Sequence, residues 1–252
     1  TGRLLNGRVS FAREAYGRDD RPPSKEGRDP LWRMLTEARQ WTSQWIAALG
    51  QRIAEARIPI VGCSTMFEQT AASISILRAV KALAPETITL LGGANCAGPM
   101  ADGISGLSPA IDYVFSGDSD ETFPRFLERI RSGQRPAQRV LPDTPFGGLD
   151  AIPTPDFSDY YTQIERIAGP EGVAIEDLWL PYEASRGCWW GEKHHCTFCG
   201  LNGEDMVFRE KSPERVLEEL RLLNSRHPRA RIFLVAEIMP HRYFQTLLPR
   251  LR

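Results

Sequence analysis

Apolar residues recur at every third or fourth position over residues 31–56, a spacing that places them on one face of an α-helix. We expect this face to be buried. Its apolar residues are Leu31, Leu35, Ala38, Trp41, Trp45, Leu49 and Ile53. The next apolar run, Ile58 to Gly62, is too short for a helix and rich in β-branched residues, which predicts a strand.

Strand and helix patterns then alternate as far as residue 131. The predicted elements are, in order, a helix over residues 67–83, a strand over 88–91, a weaker helix through Met100 and Ile104, a strand over 113–115 and a helix over 119–131. Thr65 with Glu68, and Asp118 with Glu121, have the spacing of a capping box at the start of a helix. The alternation predicts an α/β fold with a doubly wound, Rossmann-like parallel sheet.

A change of character marks residues 133–177, where prolines interrupt every periodic pattern, and we predict a linker there. Residues 1–132 would then form the Rossmann-like domain, and residues 178–252 a second domain. The second domain is predicted to contain a strand over 179–184, a helix over 213–225 and a strand over 231–236. Ser212 is a good N-cap for that helix, and Pro213 is a good first residue.

Both ends of the chain look cut. It starts with Thr1 instead of a methionine and stops at Leu251-Arg252, within an apolar helical pattern that has no stop signal. We therefore expect a piece of a longer protein, truncated at both ends. The first strand or strands of the Rossmann-like sheet are expected before Thr1.

Composition narrows the class of protein. The 252 residues are 42% hydrophobic and 25% charged, with a formal net charge of -1, as in an ordinary globular protein with apolar cores. A net charge so close to zero provides no basic face for nucleic acid. No apolar run approaches the roughly 20 residues that cross a bilayer, and residues 1–6 are too polar for a signal peptide. We therefore expect a cytoplasmic protein that binds neither nucleic acid nor membranes.

Three of the five cysteines, Cys188, Cys196 and Cys199, lie within twelve residues of each other, directly after a predicted strand. Such crowding in a long chain favours a metal or redox site over a disulfide framework. Structural zinc normally takes four protein ligands, whereas three cysteines can hold a 4Fe-4S cluster and leave one iron open. The alternative is a zinc site completed by His194 or His195. Both stand so close to Cys196 in the sequence that the chain between either histidine and this cysteine is hardly long enough for both residues to bind the same ion. Buried, unreactive thiols fit less well, because the surrounding glycines and charged residues indicate a polar loop.

This loop resembles radical S-adenosylmethionine proteins, and especially their cobalamin-binding branch that matures ribosomally made peptides. The resemblance lies in Cys188-Trp189-Trp190-Gly191 and in Cys196-Thr197-Phe198-Cys199-Gly200-Leu201-Asn202-Gly203. The spacer between the first two cysteines is longer than is usual across the superfamily and matches this branch. The resemblance implies that the three cysteines hold a 4Fe-4S cluster, with Phe198 and Gly200 beside the cofactor. The open iron would chelate the amino and carboxylate groups of S-adenosylmethionine, and an electron passed to its sulfonium would give a 5'-deoxyadenosyl radical.

The turns after the strands of the first domain offer a second ligand site. Parallel sheets bind ligands at the carboxyl ends of their strands, but a glycine turn there is more often only a tight turn. Three stretches resemble the cobalamin domain of the same branch: Gly62-Cys63-Ser64-Thr65-Met66-Phe67-Glu68-Gln69, Leu91-Gly92-Gly93-Ala94-Asn95-Cys96 and Phe115-Ser116-Gly117-Asp118. The resemblance, which covers most of the chain, implies cobalamin contacts by Ser64, Thr65, Phe67, Gly92, Gly93, Ala94, Asn95, Ser116, Gly117 and Asp118. The D-x-H-x-x-G signature is absent, so we expect no histidine ligand to cobalt from residues 1–150.

In such enzymes the second strand of the barrel ends in a small-residue turn, with an acidic group that receives the ammonium of S-adenosylmethionine. Ala236 and Glu237 occupy that place, although the sequence reads Ala236-Glu237-Ile238-Met239-Pro240 where the family has two glycines and a glutamate. The resemblance therefore implies that residues 178–252 begin a partial (β/α) barrel. Trp189 and Trp190 could line the cofactor pocket or pack between the domains, and both roles stay open.

The implied activity is methylation of an unactivated carbon in a precursor peptide, by a cobalamin-dependent radical enzyme that receives electrons from an external donor. One S-adenosylmethionine would methylate reduced cobalamin, and a second would yield the radical that abstracts hydrogen from the peptide. The same cofactors could instead serve ring formation or rearrangement. A zinc-stabilised binding module without catalysis is the alternative from another class. The sequence identifies no catalytic side chain.

Overall fold

The structure, a computed structural model, describes residues 30–142, 148–168, 178–194, 196–199 and 207–251. Its first helix, α1, spans Pro30–Glu55 and confirms the predicted helix. The expected burial of its apolar face is wrong as far as Trp45, since the side chains of Leu35, Trp41 and Trp45 are 43%, 74% and 56% exposed. The last turns pack instead, with Gly50 against Ala79 of the next helix. Apolar spacing determines which residues share a face, but neighbouring elements decide whether that face is covered.

Four parallel strands form the first sheet, in the order β1-β2-β3-β4. They span Ile60–Ser64, Ile88–Gly92, Tyr113–Phe115 and Val140–Leu141. The helices between them are α2, Gln69–Leu83, α3, Pro99–Ser105, and α4, Thr122–Arg131. The predicted α/β fold with a parallel sheet is therefore confirmed. β4 lies within residues 133–177, where we predicted a linker, because a strand of two residues is too short for a periodic pattern to reveal it.

Both faces of the first sheet are buried, since alternate residues of a strand point to opposite sides. On one side, Leu91 of β2 belongs to the same core cluster as Leu77 of α2 and Ile104 of α3. On the other side, Leu90 clusters with Phe126 of α4. Helices on both faces exclude water from the strands and leave the carboxyl ends of β1, β2 and β3 side by side along one edge.

Neither predicted capping box forms. The N-cap residues of α2 and α4 are Glu68 and Glu121, and neither position has a side chain that accepts a helix N–H. Thr65 is fully buried, while Asp118 pairs with two arginines of the second domain. Tertiary partners therefore replace the local caps at both positions.

In its described residues, the predicted second domain contains two short strand pairs. β5, Trp179–Tyr182, runs parallel to β8, Arg231–Leu234, and β6, Ser185–Arg186, runs antiparallel to β7, Arg209–Glu210. Three further helices follow the first sheet along the chain: α5, Ser158–Ala168, α6, Pro213–Arg226, and α7, Tyr243–Thr246. Short 3-10 turns lie at Ala94–Cys96 near the first sheet, and at Leu149–Ala151 and Leu248–Arg250 after it. A parallel pair whose connection carries a helix is how a (β/α) barrel starts. The barrel itself stays a prediction.

α6 begins as its sequence predicts. The Ser212 hydroxyl accepts the N–H of Arg215 at 3.2 Å, and Pro213 is the first helical residue. Leu217 of this helix packs on Tyr182 of β5, so α6 covers one face of the β5–β8 pair. The other face of the pair is exposed along its length, at Trp179, Pro181, Arg231 and Phe233.

The helices of the chain show no sign of a membrane span. The longest in the described ranges is α1, with 26 residues, and it carries polar side chains along much of its length. No helix within those ranges combines the length and the apolar character that crossing a membrane requires.

Candidate functional site

The loops that follow β1 and β2 interlock at the carboxyl edge of the first sheet. The Thr65 N–H donates to the Gly92 carbonyl at 2.7 Å, and the Asn95 N–H donates to the Thr65 carbonyl at 3.1 Å. The Asn95 side-chain amide also donates to the Phe67 carbonyl at 2.8 Å and to the Thr70 hydroxyl at 2.9 Å. The structure thus brings the predicted cobalamin residues of both loops together, and it uses the Asn95 side chain to join the loops.

Gly93 allows this close approach. Its φ is +95°, and a methyl group added there would lie 2.6 Å from both the backbone N and the carbonyl O of Thr65. No other residue fits this position without displacing the neighbouring loop. The glycine pair is therefore more than a turn signal, because Gly93 lets two loops share one edge.

Three of the predicted cobalamin residues present surface at this edge. Ser64 and Ala94 are exposed, and the Phe67 ring is 71% exposed although its backbone lies in the left-handed region, at φ 50°. Thr65, by contrast, is turned into the core, with its hydroxyl 3.9 Å from the Cys96 sulfur. Burial raises the pKa of the Cys96 thiol, so this thiol belongs to the core. A ligand at the edge would meet Ser64, Ala94 and Phe67 before any other side chain predicted for these two loops.

The loop after β3 faces the second domain. The Ser116 N–H donates to the Leu141 carbonyl at 3.0 Å, and Gly117 turns the chain with φ +69°. Asp118 then accepts from Arg209 at 2.7 Å and pairs with Arg186 at 3.0 Å. Asp118 was predicted as a cobalamin contact, but its described partners are these two guanidinium groups.

The cysteine loop, residues 187–208, is closed by the β6–β7 pair, which we call the neck. Cys188 lies two residues beyond β6, and its sulfur accepts the Gly191 N–H at 3.2 Å. The Cys199 N–H donates to the Cys196 carbonyl at 3.0 Å, which makes a tight turn between the second and third cysteines. All three thiols are free and half-buried. They are unlike the fully buried thiol of Cys96.

The donor chemistry of the loop fits an iron-sulfur cluster, since it offers three thiols and a backbone N–H directed at one sulfur. In the described part of the chain, no three His, Cys, Asp or Glu side chains are grouped so that they could hold a metal ion. Phe198 is 91% exposed, and Gly200 and His195 lie outside the described residues. The His194 ring lies 4.9 Å from the Trp190 ring, centroid to centroid.

The cysteine loop lies against the loop that follows β8. The Trp189 indole N–H donates to the Met239 carbonyl at 3.1 Å, and the Ser185 hydroxyl donates to the Ile238 carbonyl at 3.4 Å. Trp189 also contacts Trp190 edge to face, at 6.2 Å between ring centroids. Trp189 therefore packs within the second domain, and its place in the wall of a cofactor pocket stays a prediction.

Ala236 and Glu237 lie two and three residues beyond β8, in the loop that contacts Trp189. Leu234 of β8 is in register with Tyr182 of β5, so the two parallel strands end side by side. The side chains of Ala236 and Glu237 are exposed. The structure therefore places Glu237 in a loop that contacts Trp189, the residue after Cys188, and it leaves the Glu237 carboxylate accessible.

A buried charged network lies behind the neck. Glu219 of α6 is fully buried and accepts from Lys211 at 2.6 Å and from the Tyr182 hydroxyl at 2.5 Å. Its second oxygen pairs with Arg215 at 3.0 Å and accepts from Thr154 at 3.2 Å. Burial, and then the Glu219 carboxylate, raise the pKa of the Tyr182 hydroxyl far above its ordinary value. The network joins β5, the end of the neck and α6.

Sequence patterns did not reveal the charged residues that hold this region together, Arg186, Arg209, Lys211 and Glu219. Charged residues in short polar stretches usually form a solvated surface, and their spacing carries no periodic signal. A weak signal does exist, because Glu219 stands on the apolar face of α6, where a carboxylate needs a partner.

Comparison with known proteins adds no relative to this picture, since no family model and no curated protein matches the chain.

Proposed function

We propose that this chain carries the cluster-binding loop and the cobalamin edge of a radical S-adenosylmethionine enzyme that methylates an unactivated carbon of a ribosomally made peptide. The observation that carries the proposal is that Asp118, at the carboxyl edge of the first sheet, binds both arginines of the neck of the cysteine loop. Two sites that the sequence predicts separately are therefore neighbours.

In this proposal, the thiolates of Cys188, Cys196 and Cys199 hold a 4Fe-4S cluster. When bound, the cluster supplies the electron that cleaves S-adenosylmethionine, and cobalamin supplies the methyl group. The Gly191 N–H donates to the Cys188 sulfur at 3.2 Å, and such hydrogen bonds to the ligating sulfurs are one way in which proteins tune an iron-sulfur cluster. The exposed Glu237 carboxylate at the end of β8 is suited to receive the ammonium of S-adenosylmethionine.

Cobalamin is proposed to lie on the carboxyl edge of the first sheet. The Phe67 ring supplies an exposed apolar surface, and the hydroxyl of the exposed Ser64 is suited to hydrogen-bond an amide of the ligand. The interlocked Gly93 and Thr65 keep this surface fixed, so that a large ligand binds without first having to order the loops.

Anaerobic reconstitution of the chain with ferrous iron and sulfide tests the cluster. We expect about four irons per chain and a brown visible absorption, as for a 4Fe-4S centre. Each of the variants C188A, C196A and C199A should lose both signals. C63A is the matched control, since Cys63 is also half-buried but lies in the first sheet, and it should reconstitute like the wild type.

Two results would overturn the proposal. One is a colourless protein that binds a single zinc, with an affinity that falls when His194 and His195 are both replaced, because this would indicate the zinc-stabilised module. The other is a brown full-length protein that forms no 5'-deoxyadenosine from S-adenosylmethionine and dithionite. Mass spectrometry of a modified peptide separates methylation, which adds a carbon unit, from ring formation or rearrangement, which need not.

A further inference from the structure

We propose that Asp118 is a positioning residue, whose carboxylate bridges two like-charged arginines and thereby keeps the neck of the cysteine loop closed against the first sheet. The bridge itself is independent of the proposed function, while its consequence for the cluster rests on that function. Asp118 would then serve the cysteine loop instead of contacting cobalamin directly.

The neck is a very short ladder. It consists of two residue pairs, Ser185 with Glu210 and Arg186 with Arg209. An isolated two-stranded ladder is at best marginally stable in water, even when it is longer than this one. Something outside the neck must therefore keep it closed.

The pairing within the neck also brings two positive charges together. Arg186 and Arg209 stand directly opposite each other across the two strands. Like charges at directly opposite positions destabilise a strand pair. Without a counterion between them, these arginines would push apart the two strands that close the cysteine loop.

Asp118 supplies that counterion from the other domain. A single oxygen of its carboxylate, Oδ2, lies 2.7 Å from the Arg209 guanidinium and 3.0 Å from that of Arg186. The side chains of Arg209, Arg186 and Asp118 are only 12%, 21% and 23% exposed, so solvent and salt screen these pairs less than surface pairs.

Two further carboxylates, those of Glu183 and Asp120, bind Arg186, but in the described part of the chain neither is seen to bind Arg209 as well. Glu183 accepts two hydrogen bonds from Arg186, both at 2.8 Å, and Asp120 accepts a third at 2.5 Å. These contacts hold Arg186 in place, whereas the contact that joins the two arginines is made by Asp118. Replacing Asp118 should therefore separate Arg209 from Arg186 and weaken the neck, while Glu183 and Asp120 still hold Arg186.

Hydrogen exchange of the chain without metal tests the bridge. The Lys211 N–H donates to the Ala184 carbonyl at 2.9 Å, next to the neck, and it reports whether the neck is closed. In D118N we expect this amide to exchange about tenfold faster or more, because the charge-assisted hydrogen bonds that join Arg209 and Arg186 through one carboxylate are lost. The Val114 amide, bonded to the Arg139 carbonyl within the first sheet, should keep its wild-type rate.

Three further variants separate the bridge from general destabilisation. D112N removes a carboxylate of similar exposure, 26%, that pairs with Lys81 at the opposite end of β3, and it should leave Lys211 exchange unchanged. D118E keeps the charge and should restore part of the protection. The double variant D118N with Arg209→Gln removes one of the repelling charges and should exchange more slowly than D118N alone.

Iron content and the electron paramagnetic resonance spectrum of the reduced protein then test the consequence for the cluster. We expect D118N to retain less iron than D112N after the same reconstitution and to give an altered spectrum. Wild-type exchange at Lys211 in D118N would overturn the bridge, whatever the iron content. Faster exchange with unchanged iron and spectrum would overturn the positioning role. A wild type without iron would refute the proposed function, and the exchange data would still decide the bridge.

Discussion

The carboxyl edge of the first sheet and the neck of the cysteine loop are neighbours, but they are held in different ways. At the edge, neutral groups join the loops, as in the bonds from Thr65 to Gly92 and from Asn95 to Phe67. At the neck, guanidinium groups meet carboxylates, and behind it the fully buried Glu219 meets Lys211. The first region rests on a sheet with two covered faces, whereas the second has strand pairs of two to four residues.

The difference shows where each region is vulnerable. Neutral hydrogen bonds over a large apolar core can be lost one at a time at modest cost, since each contributes about 1 kcal/mol. A buried charge that loses its partner costs several times as much, because the remaining ion has been removed from water. The second domain should therefore be sensitive to single charge substitutions, and the first to changes that disturb close packing.

The largest effect is expected at the buried carboxylate. Glu219→Gln keeps the side-chain volume but leaves Lys211 without a counterion, and it should lower the free energy of unfolding by about 4 kcal/mol. Urea denaturation measures this. Glu218→Gln is the matched control, because Glu218 pairs with the same Arg215 but is 71% exposed, and it should change stability by less than about 0.5 kcal/mol. Equal losses in the two variants would remove the contrast between the two regions.

The next effect is expected at the interlocked loops of the first sheet. Gly93→Ala requires a strained φ and places a methyl group 2.6 Å from the Thr65 backbone, which should cost about 3 kcal/mol of unfolding free energy. Gly133→Ala also has a positive φ, at +78°, but meets nothing within 4 Å, and it should cost roughly 1 kcal/mol. If thermal unfolding shows the same loss for both, the close approach of the loops contributes nothing to stability.

The smallest effect is expected for a neutral, local hydrogen bond within the second domain. Its loss should cost about as much stability as the loss of a neutral hydrogen bond in the first domain. Ser212→Ala removes the N-cap of α6 and should cost about 1 kcal/mol in urea denaturation. Ser225→Ala, in the last turn of the same helix, removes only a hydroxyl that donates to the Leu222 carbonyl, and it should be close to neutral. A Ser212 effect as large as that of Glu219→Gln would mean that the whole domain is fragile, independent of charge.

Some elements of the fold could be predicted from local patterns. α1 was predicted over residues 31–56 and spans Pro30–Glu55, and α6 was predicted over 213–225 and spans Pro213–Arg226. Helical periodicity and the Ser212 cap act within a few turns of chain, so a single sequence contains them. α5, Ser158–Ala168, was missed because it lies in the proline-interrupted stretch that we predicted to be a linker.

The candidate site also contains residues that the sequence could place and residues that it could not. Sequence placed the three cysteines after a strand, and it placed Gly93 at a turn where a close approach is possible. It assigned Asp118 first to a helix cap and then to cobalamin, whereas its carboxylate binds Arg209, which lies 91 residues further along the chain. The residues next to Asp118 in the sequence do not distinguish these roles, since a helix N–H, a ligand and an arginine can each donate a hydrogen bond to its carboxylate.

The sequence by itself determined which segments become helices and strands, that the sheet is parallel, and which thiols share a loop. Only the tertiary structure decided that the apolar face of α1 is exposed as far as Trp45, that Thr65 faces the core, and that two opposing arginines meet one carboxylate from the other domain. The physical reason is the distance along the chain over which each interaction acts. Backbone preferences and caps act over neighbouring residues, whereas burial and charge pairing depend on groups that only the folded chain brings within a few ångströms of each other.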